Sequence, residues 1–290
     1  MVWLTWRQHR AQILVTAGFL VVVGAVLLVH GLAASGLPDD ARGARYDELS
    51  LYVSWLPVVP LGVGMFWGAP LLARELERGT HRLAWTQSVS RPRWLAVKLG
   101  VLGLAVTGAG LALGGMVSAW LSVFESTGLA DRFGDTEFFG ATGVLGGVWW
   151  LFAFALGTAA GGVLRRTLPA FAVTIAVFVL AMMGLFAVRQ DYAEPARIVV
   201  EGADTLPTSF ITGSAYLSPA GVESEVVPEC AAVDGEAYLS CIRDSDYRTV
   251  LFYHPTDRYW QFQWTETGIL VVASLLLAGP VVYRVARRPV

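Results

Sequence analysis

The sequence predicts an all-α polytopic membrane protein. It has six transmembrane helices, cytoplasmic N- and C-termini, and an extracellular mixed, β-containing domain between helices five and six. Three observations carry this reading. Of 290 residues, 55% are hydrophobic and only 15% charged, whereas soluble domains carry about 25% charged residues. The apolar residues are gathered into six long runs, and most of the basic residues fall on one side of them.

The runs are Ala11–Leu32, Leu49–Leu72, Leu95–Leu121, Phe138–Leu164, Leu168–Val188 and Gly268–Val285. A helix needs about 20 apolar residues to cross some 30 Å of hydrocarbon, and each run is near or above that length. A core helix of a soluble protein would keep a polar stripe; these keep almost none. With both termini inside, the inner segments hold 13 of the 21 basic residues but only Glu75 and Glu77 among the 23 acidic ones. Short basic loops stay on the cytoplasmic side. The first run is too long for a signal-peptide core and lacks a convincing cleavage site. It is expected to be retained, with Trp3-Leu4-Thr5-Trp6-Arg7 as an amphipathic lead-in at the inner interface.

Local residues set further expectations. The stretch Ala33–Ser50 reads as a short polar outer loop. Pro57, Pro60 and Pro70 predict a break in the second span, because proline removes a donor and clashes in a helix interior. Ser90, Pro92 and Trp94 mark the start of the third. Gly110 with Gly114, Gly143 with Gly147, and Gly157 with Gly161 form GxxxG pairs, a spacing that lets helix backbones approach closely in lipid.

The chain thus divides into 1–188, holding the N-terminal interfacial segment and helices one to five, an extracellular domain 189–263, and helix six with a basic tail, 264–290. The middle segment contains β-like runs at Ile198–Val200, Ser209–Thr212, Thr249–Tyr253 and Tyr259–Trp264. It also holds Cys230 and Cys241, the chain's only cysteines. On an oxidising face an isolated pair in a small domain is expected to form a disulfide. The aromatic residues Tyr253, Tyr259, Trp260, Phe262 and Trp264 suit either an interfacial anchor or a cap over an exit path.

Missing chemistry narrows the function. Lys98 is the only lysine and follows Ala96-Val97, so the phosphate-cradling Gly-Lys-Ser/Thr motif is excluded. His9, His30, His81 and His254 are scattered without metal-ligand spacing, so no metal site is expected. No nucleophile elbow or paired catalytic carboxylates point to an enzyme. No cofactor of this chain and no nucleic-acid partner are expected. The span interiors lack the ionisable groups on which ion-coupled carriers depend. That pattern suits a path for something greasy or amphipathic.

The most informative segment is the basic loop 73–94 between spans two and three. Arg74-Glu75-Leu76-Glu77-Arg78-Gly79-Thr80, then Leu83, Val89-Ser90-Arg91 and Lys98, resembles the first cytoplasmic loop of ABC-2 type transporter permeases; Ser88 departs from the proline common there. Leu76, Leu83 and Trp85 offer apolar anchors for a helix-in-groove contact. The resemblance implies a permease subunit of an exporter for a hydrophobic or amphipathic substrate, such as a drug, natural product, lipid or lipid-linked glycan. It implies coupling through Glu75, Glu77, Gly79, Thr80, Leu83 and Arg91 to two copies of a cytoplasmic ATPase subunit that binds ATP and Mg. A second permease chain, identical or related, and a bacterial plasma membrane complete that picture. Arginine outnumbering lysine twenty to one suggests a GC-rich, actinobacterial-like genome. The alternative is a membrane-anchored sensor or assembly protein that binds a ligand or partner through its outer domain, without transport.

Overall fold

The computed structural model describes residues 2–77, 91–125, 128–200, 210–231 and 236–287. The chain forms two compact units, Met1–Ala187 with Gln261–Val290, and Val188–Trp260. Among the described residues six helical stretches are long and apolar enough to cross a membrane: Trp6–Ser35, Asp39–Arg74, Leu95–Glu125, Leu145–Leu164, Thr167–Tyr192 and Thr256–Tyr283. The chain is a multi-pass integral membrane protein.

Helix α1 (Val2–Ser35) is continuous from its Trp3 lead-in through the whole span, and the Arg7 guanidinium lies 5.5 Å from the centre of the Trp3 ring. The second span begins earlier than its apolar run. The stretch Ala33–Ser50, expected as a loop, contains most of helix α2 (Asp39–Val53). Pro38 precedes that helix and Asp39 and Asp40 fill its first turn, where carboxylates meet the positive end of the helix dipole. The prolines then break the α geometry. A 3-10 turn (Leu56–Val58) leads to α3 (Val59–Val63), a π-helical turn (Gly64–Gly68) and α4 (Ala69–Glu77). Pro57 and Pro60 each sit at the start of a new segment, where the missing N–H costs nothing.

The third span is α5 (Arg91–Glu125). A short helix, α6 (Thr136–Phe139), precedes the fourth span, α7 (Leu145–Leu164), and the fifth is α8 (Thr167–Val188). The core joins Val63, Trp67 and Leu71 of the second span to Leu102, Val106, Leu113, Val117 and Trp120 of α5, and to Trp150 and Phe154 of α7.

Helix α7 is the centre of this unit, and small residues put it there. A Cβ on Gly110 of α5 would lie 2.6 Å from the Gly146 carbonyl oxygen, and one on Gly114 3.1 Å from that of Ala141. A Cβ on Gly147 would meet the Leu111 side chain at 2.5 Å. Farther along α7, Gly157 lies against the Gly64 carbonyl and Gly161 against that of Ala69, with no room for a side chain. Gly143 meets this face from outside the helix, its carbonyl oxygen 3.3 Å from a Cβ placed on Gly114. It sits before α7 at φ 59°, so the Gly143–Gly147 pair is a left-handed turn followed by a helical residue, not one helix stripe. Glycine adopts that conformation without the Cβ penalty.

The Val188–Trp260 unit is built on an antiparallel sheet of order β1-β4-β2-β3. Its strands are β1 (Ala196–Val200), β2 (Phe210–Leu217), β3 (Glu223–Ser224) and β4 (Arg248–His254). Val250 and Leu251 of the central β4 are buried, and a bulge at Thr212 interrupts the β2–β4 register. Helix α9 (Glu236–Asp244) precedes β4. Cys241 on α9 is disulfide-bonded to Cys230, with Cα atoms 5.8 Å apart; both cysteines therefore brace this small unit. The expected strand at Tyr259–Trp264 is instead the first turns of α10 (Tyr259–Arg287). Its aromatic residues favour strands only weakly. Helix propagating cooperatively from the long apolar span extends back to the turn after Pro255.

Candidate functional site

Four helix segments converge where the basic loop leaves the bundle. Leu72 of α4, Leu95 of α5, Ala159 of α7 and Val281 of α10 are buried together, and Ala69, Ala160 and Ala170 form a second small cluster beside them. Exposed Arg74, Arg93, Arg165 and Arg166 decorate this end, while Lys98 is buried one turn beyond Leu95.

The turn joining α7 to α8 is unusually short. Arg165 closes α7 in the left-handed region (φ 57°, ψ 15°), its N–H donating to the Gly161 carbonyl. For a non-glycine residue that conformation costs about 1–2 kcal/mol. Arg166 follows, and its carbonyl accepts the first α8 bond from the Ala170 N–H at 3.2 Å. An arginine side chain only donates, so Arg166 cannot cap the helix it begins. The acceptor comes from another span. The Glu77 carboxylate, at the end of α4, accepts the Thr167 backbone N–H at 2.8 Å and the Thr167 hydroxyl at 3.1 Å.

Glu77 is therefore the expected coupling residue whose contact the structure places. Glu75 lies two residues earlier on α4 and Arg91 opens α5. Gly79, Thr80 and Leu83 lie outside the described residues. Among the described residues no group of three or more His, Cys, Asp or Glu side chains is placed to hold a metal ion.

Two further polar contacts escaped the sequence reading. The π-helical turn of the second span is met by α1: Gln12 Nε2 donates to the Phe66 carbonyl at 2.7 Å, and His9 Nδ1 lies 2.5 Å from Gln12 Oε1. A π-turn widens the helix and is frequent at functional positions. At the start of α7, Gln263 Oε1 accepts the Leu145 N–H at 3.1 Å while its Nε2 donates to the Phe139 carbonyl at 3.0 Å. Gln263 is fully buried. Glutamine side chains are neutral, and neither contact has a local sequence signal.

An apolar groove of about 520 Å³ runs between α1 and α5, floored by Gly24 and Gly31 and walled by Leu20, Leu27, Met116 and Trp120. In the Val188–Trp260 unit a more polar concavity of about 480 Å³ is lined by Asp191, Glu194, Thr212 and Phe252 among others. There His254 is buried, its Nε2 3.0 Å from the Gln190 carbonyl and its Nδ1 3.3 Å from the Arg258 guanidinium.

Residues 33–189, more than half of the chain, match the family described as ABC-2 membrane transporter related. The matched region runs from the end of α1 through α8 and includes the basic loop and both partners of the Glu77–Thr167 contact. No curated protein and no solved structure matches the chain.

Proposed function

Because the chain belongs to the ABC-2 membrane transporter related family, we propose that it is the membrane-spanning permease of an ATP-driven exporter whose nucleotide is hydrolysed by a separate subunit. The family match across the spans flanking the basic loop is the observation that carries this reading. The charge distribution supports the sidedness. With the loop 73–94 and the Arg165–Arg166 turn at the cytosol, basic segments face inward and the acidic Val188–Trp260 unit faces out.

In this mechanism two copies of a cytoplasmic ATPase, which bind ATP and Mg, grip the loops of two permease chains. ATP-driven closure moves the loops, and the movement enters the bundle through α4 and α5. The π-turn at Gly64–Gly68 supplies a compliant point in the second span. The cargo is hydrophobic or amphipathic, in keeping with spans poor in ionisable groups and with the apolar groove between α1 and α5. The chain itself carries out no bond-breaking step; its work is alternation between two packings.

The test is purification from the native membrane in mild detergent, followed by identification of the proteins that accompany the permease. A nucleotide-hydrolysing subunit whose retention is lost when residues 79–83 are replaced by a Gly-Ser linker is the expected result. Retention of the ATPase without that segment would contradict coupling through the loop.

A further inference from the structure

We infer that Glu77 is a positioning residue that ties the coupling loop to the fifth span, so that α8 moves with α4 when the loop is driven. The inference rests on the permease reading above and concerns what happens inside this chain, not at the ATPase surface.

The α8 N-terminus has no acceptor of its own. Arg166 cannot supply one, and Pro169, at the third helical position, has already removed one of the orphan donors. The Thr167 N–H and hydroxyl both turn to Glu77, 90 residues earlier in the chain. A carboxylate at this position also meets the positive end of the α8 dipole. Glu77 is the last described residue of α4 and lies within the loop segment 73–94. A displacement of the loop that enters through α4 therefore acts on Glu77 directly.

The remaining hold on α8 is slight. Of its most apolar window only 11% is buried, against 78% for α7. Its packed residues, Ala170, Thr174 and Phe178, are few and buried, and Phe171 meets Phe66 edge-on with ring centres 5.7 Å apart. A span held by a narrow stripe, in which Phe178 meets Trp149 with ring centres 5.3 Å apart, and by one charged cap can slide where α7, wedged by glycine on both faces, cannot. The two-residue Arg165–Arg166 turn then makes α7 the fixed post from which α8 swings.

The experiment uses the permease purified with its ATPase and labelled with bimane at Met183→Cys, an exposed position on α8. Trapping the ATPase with ATP and vanadate should shift the bimane emission in the otherwise unaltered protein. In Glu77→Ala the ATPase should remain attached while the shift is lost. Glu77→Gln, which keeps one acceptor oxygen for the Thr167 N–H, should restore most of it. Amide exchange at Thr167 should speed up roughly fivefold in Glu77→Ala, the equivalent of one lost N-cap. A full-size shift in Glu77→Ala, or no shift in the unaltered protein, overturns the inference. Loss of the ATPase from Glu77→Ala also overturns it, by making Glu77 a docking residue. An unaltered permease that recovers no ATPase at all defeats the proposed function and the relay together.

Discussion

Helices α7 and α8 are neighbours joined by two residues, and they are treated in opposite ways. The fifth span has a mean hydropathy of 2.6 over its best window and the fourth only 1.6, yet 11% of the former window is buried and 78% of the latter. Hydrophobicity does not decide which helix goes inside when lipid is as apolar as leucine. Shape decides it. Gly146, Gly147, Gly157 and Gly161 let α7 sit backbone to backbone with two other spans, while α8 presents Leu168, Leu180, Met183 and Phe186 outward. The caps differ in the same sense. Both helices borrow the acceptor for their first N–H, α7 from a buried neutral amide, Gln263, and α8 from an exposed carboxylate, Glu77. One arrangement suits a fixed post and the other a part that moves.

The sharpest way to break this comparison is glycine against glycine. Gly161→Leu forces a side chain onto the Ala69 carbonyl and should cost about 3 kcal/mol, the upper end for overpacking. Gly184→Leu on α8, with open space around its Cβ position, should change stability by less than about 0.5 kcal/mol. Thermal unfolding in detergent reads both, and similar losses at the two sites would refute the division of labour.

The two caps give the next contrast. Gln263→Leu strands the buried Leu145 N–H and leaves the Phe139 carbonyl with its longer bond from the Thr142 hydroxyl, and should cost about 2 kcal/mol. Glu77→Ala leaves an exposed N–H that water can reach and should cost about 1 kcal/mol. Unfolding midpoints in the reverse order would mean that α8 depends on its cap more than α7 does.

The smallest effect expected is a control outside the bundle. Burial, reinforced by the nearby Arg258 charge, holds the His254 pKa below its ordinary 6.5. The unfolded histidine therefore binds protons more readily than the folded one, so stability is full above about pH 6.5 and falls as the pH drops below it. Limited proteolysis of the Val188–Trp260 unit should show faster opening at acid pH, a slope that His254→Gln removes. The α7 and α8 contrasts should persist unchanged across the same range.

Much of this was legible in the chain. Long apolar runs and Pro57, Pro60 and Pro70 announce the six spans and the break in the second, because span length and a missing donor are local facts. Cys230 and Cys241 announce their disulfide, since no other cysteine competes. The glycine spacing marks Gly110, Gly114, Gly147, Gly157 and Gly161 as close-approach positions, but spacing alone cannot tell a helix face from a turn, and Gly143 meets Gly114 from a left-handed turn. Tyr259–Trp264 misled because aromatic preference for strands is weaker than the pull of a long helix that follows. The candidate site was legible only in part. Glu77 stands out in the loop motif, whereas Thr167 becomes visible only when folding brings it to a carboxylate 90 residues away. Gln12 and Gln263 are silent for the same reason: neither their neutral side chains nor their neighbours in sequence reveal which orphaned backbone group they will meet.

What the loop between α4 and α5 touches in the cell decides whether this permease is driven from the cytosol. A photo-crosslinking residue placed at Leu83 in the intact native membrane, followed by mass spectrometry of the adducts, asks that question directly. Coupling through the loop predicts a covalent adduct to a cytoplasmic nucleotide-hydrolysing subunit. Adducts confined to lipid, or to a protein on the outer face, would contradict it.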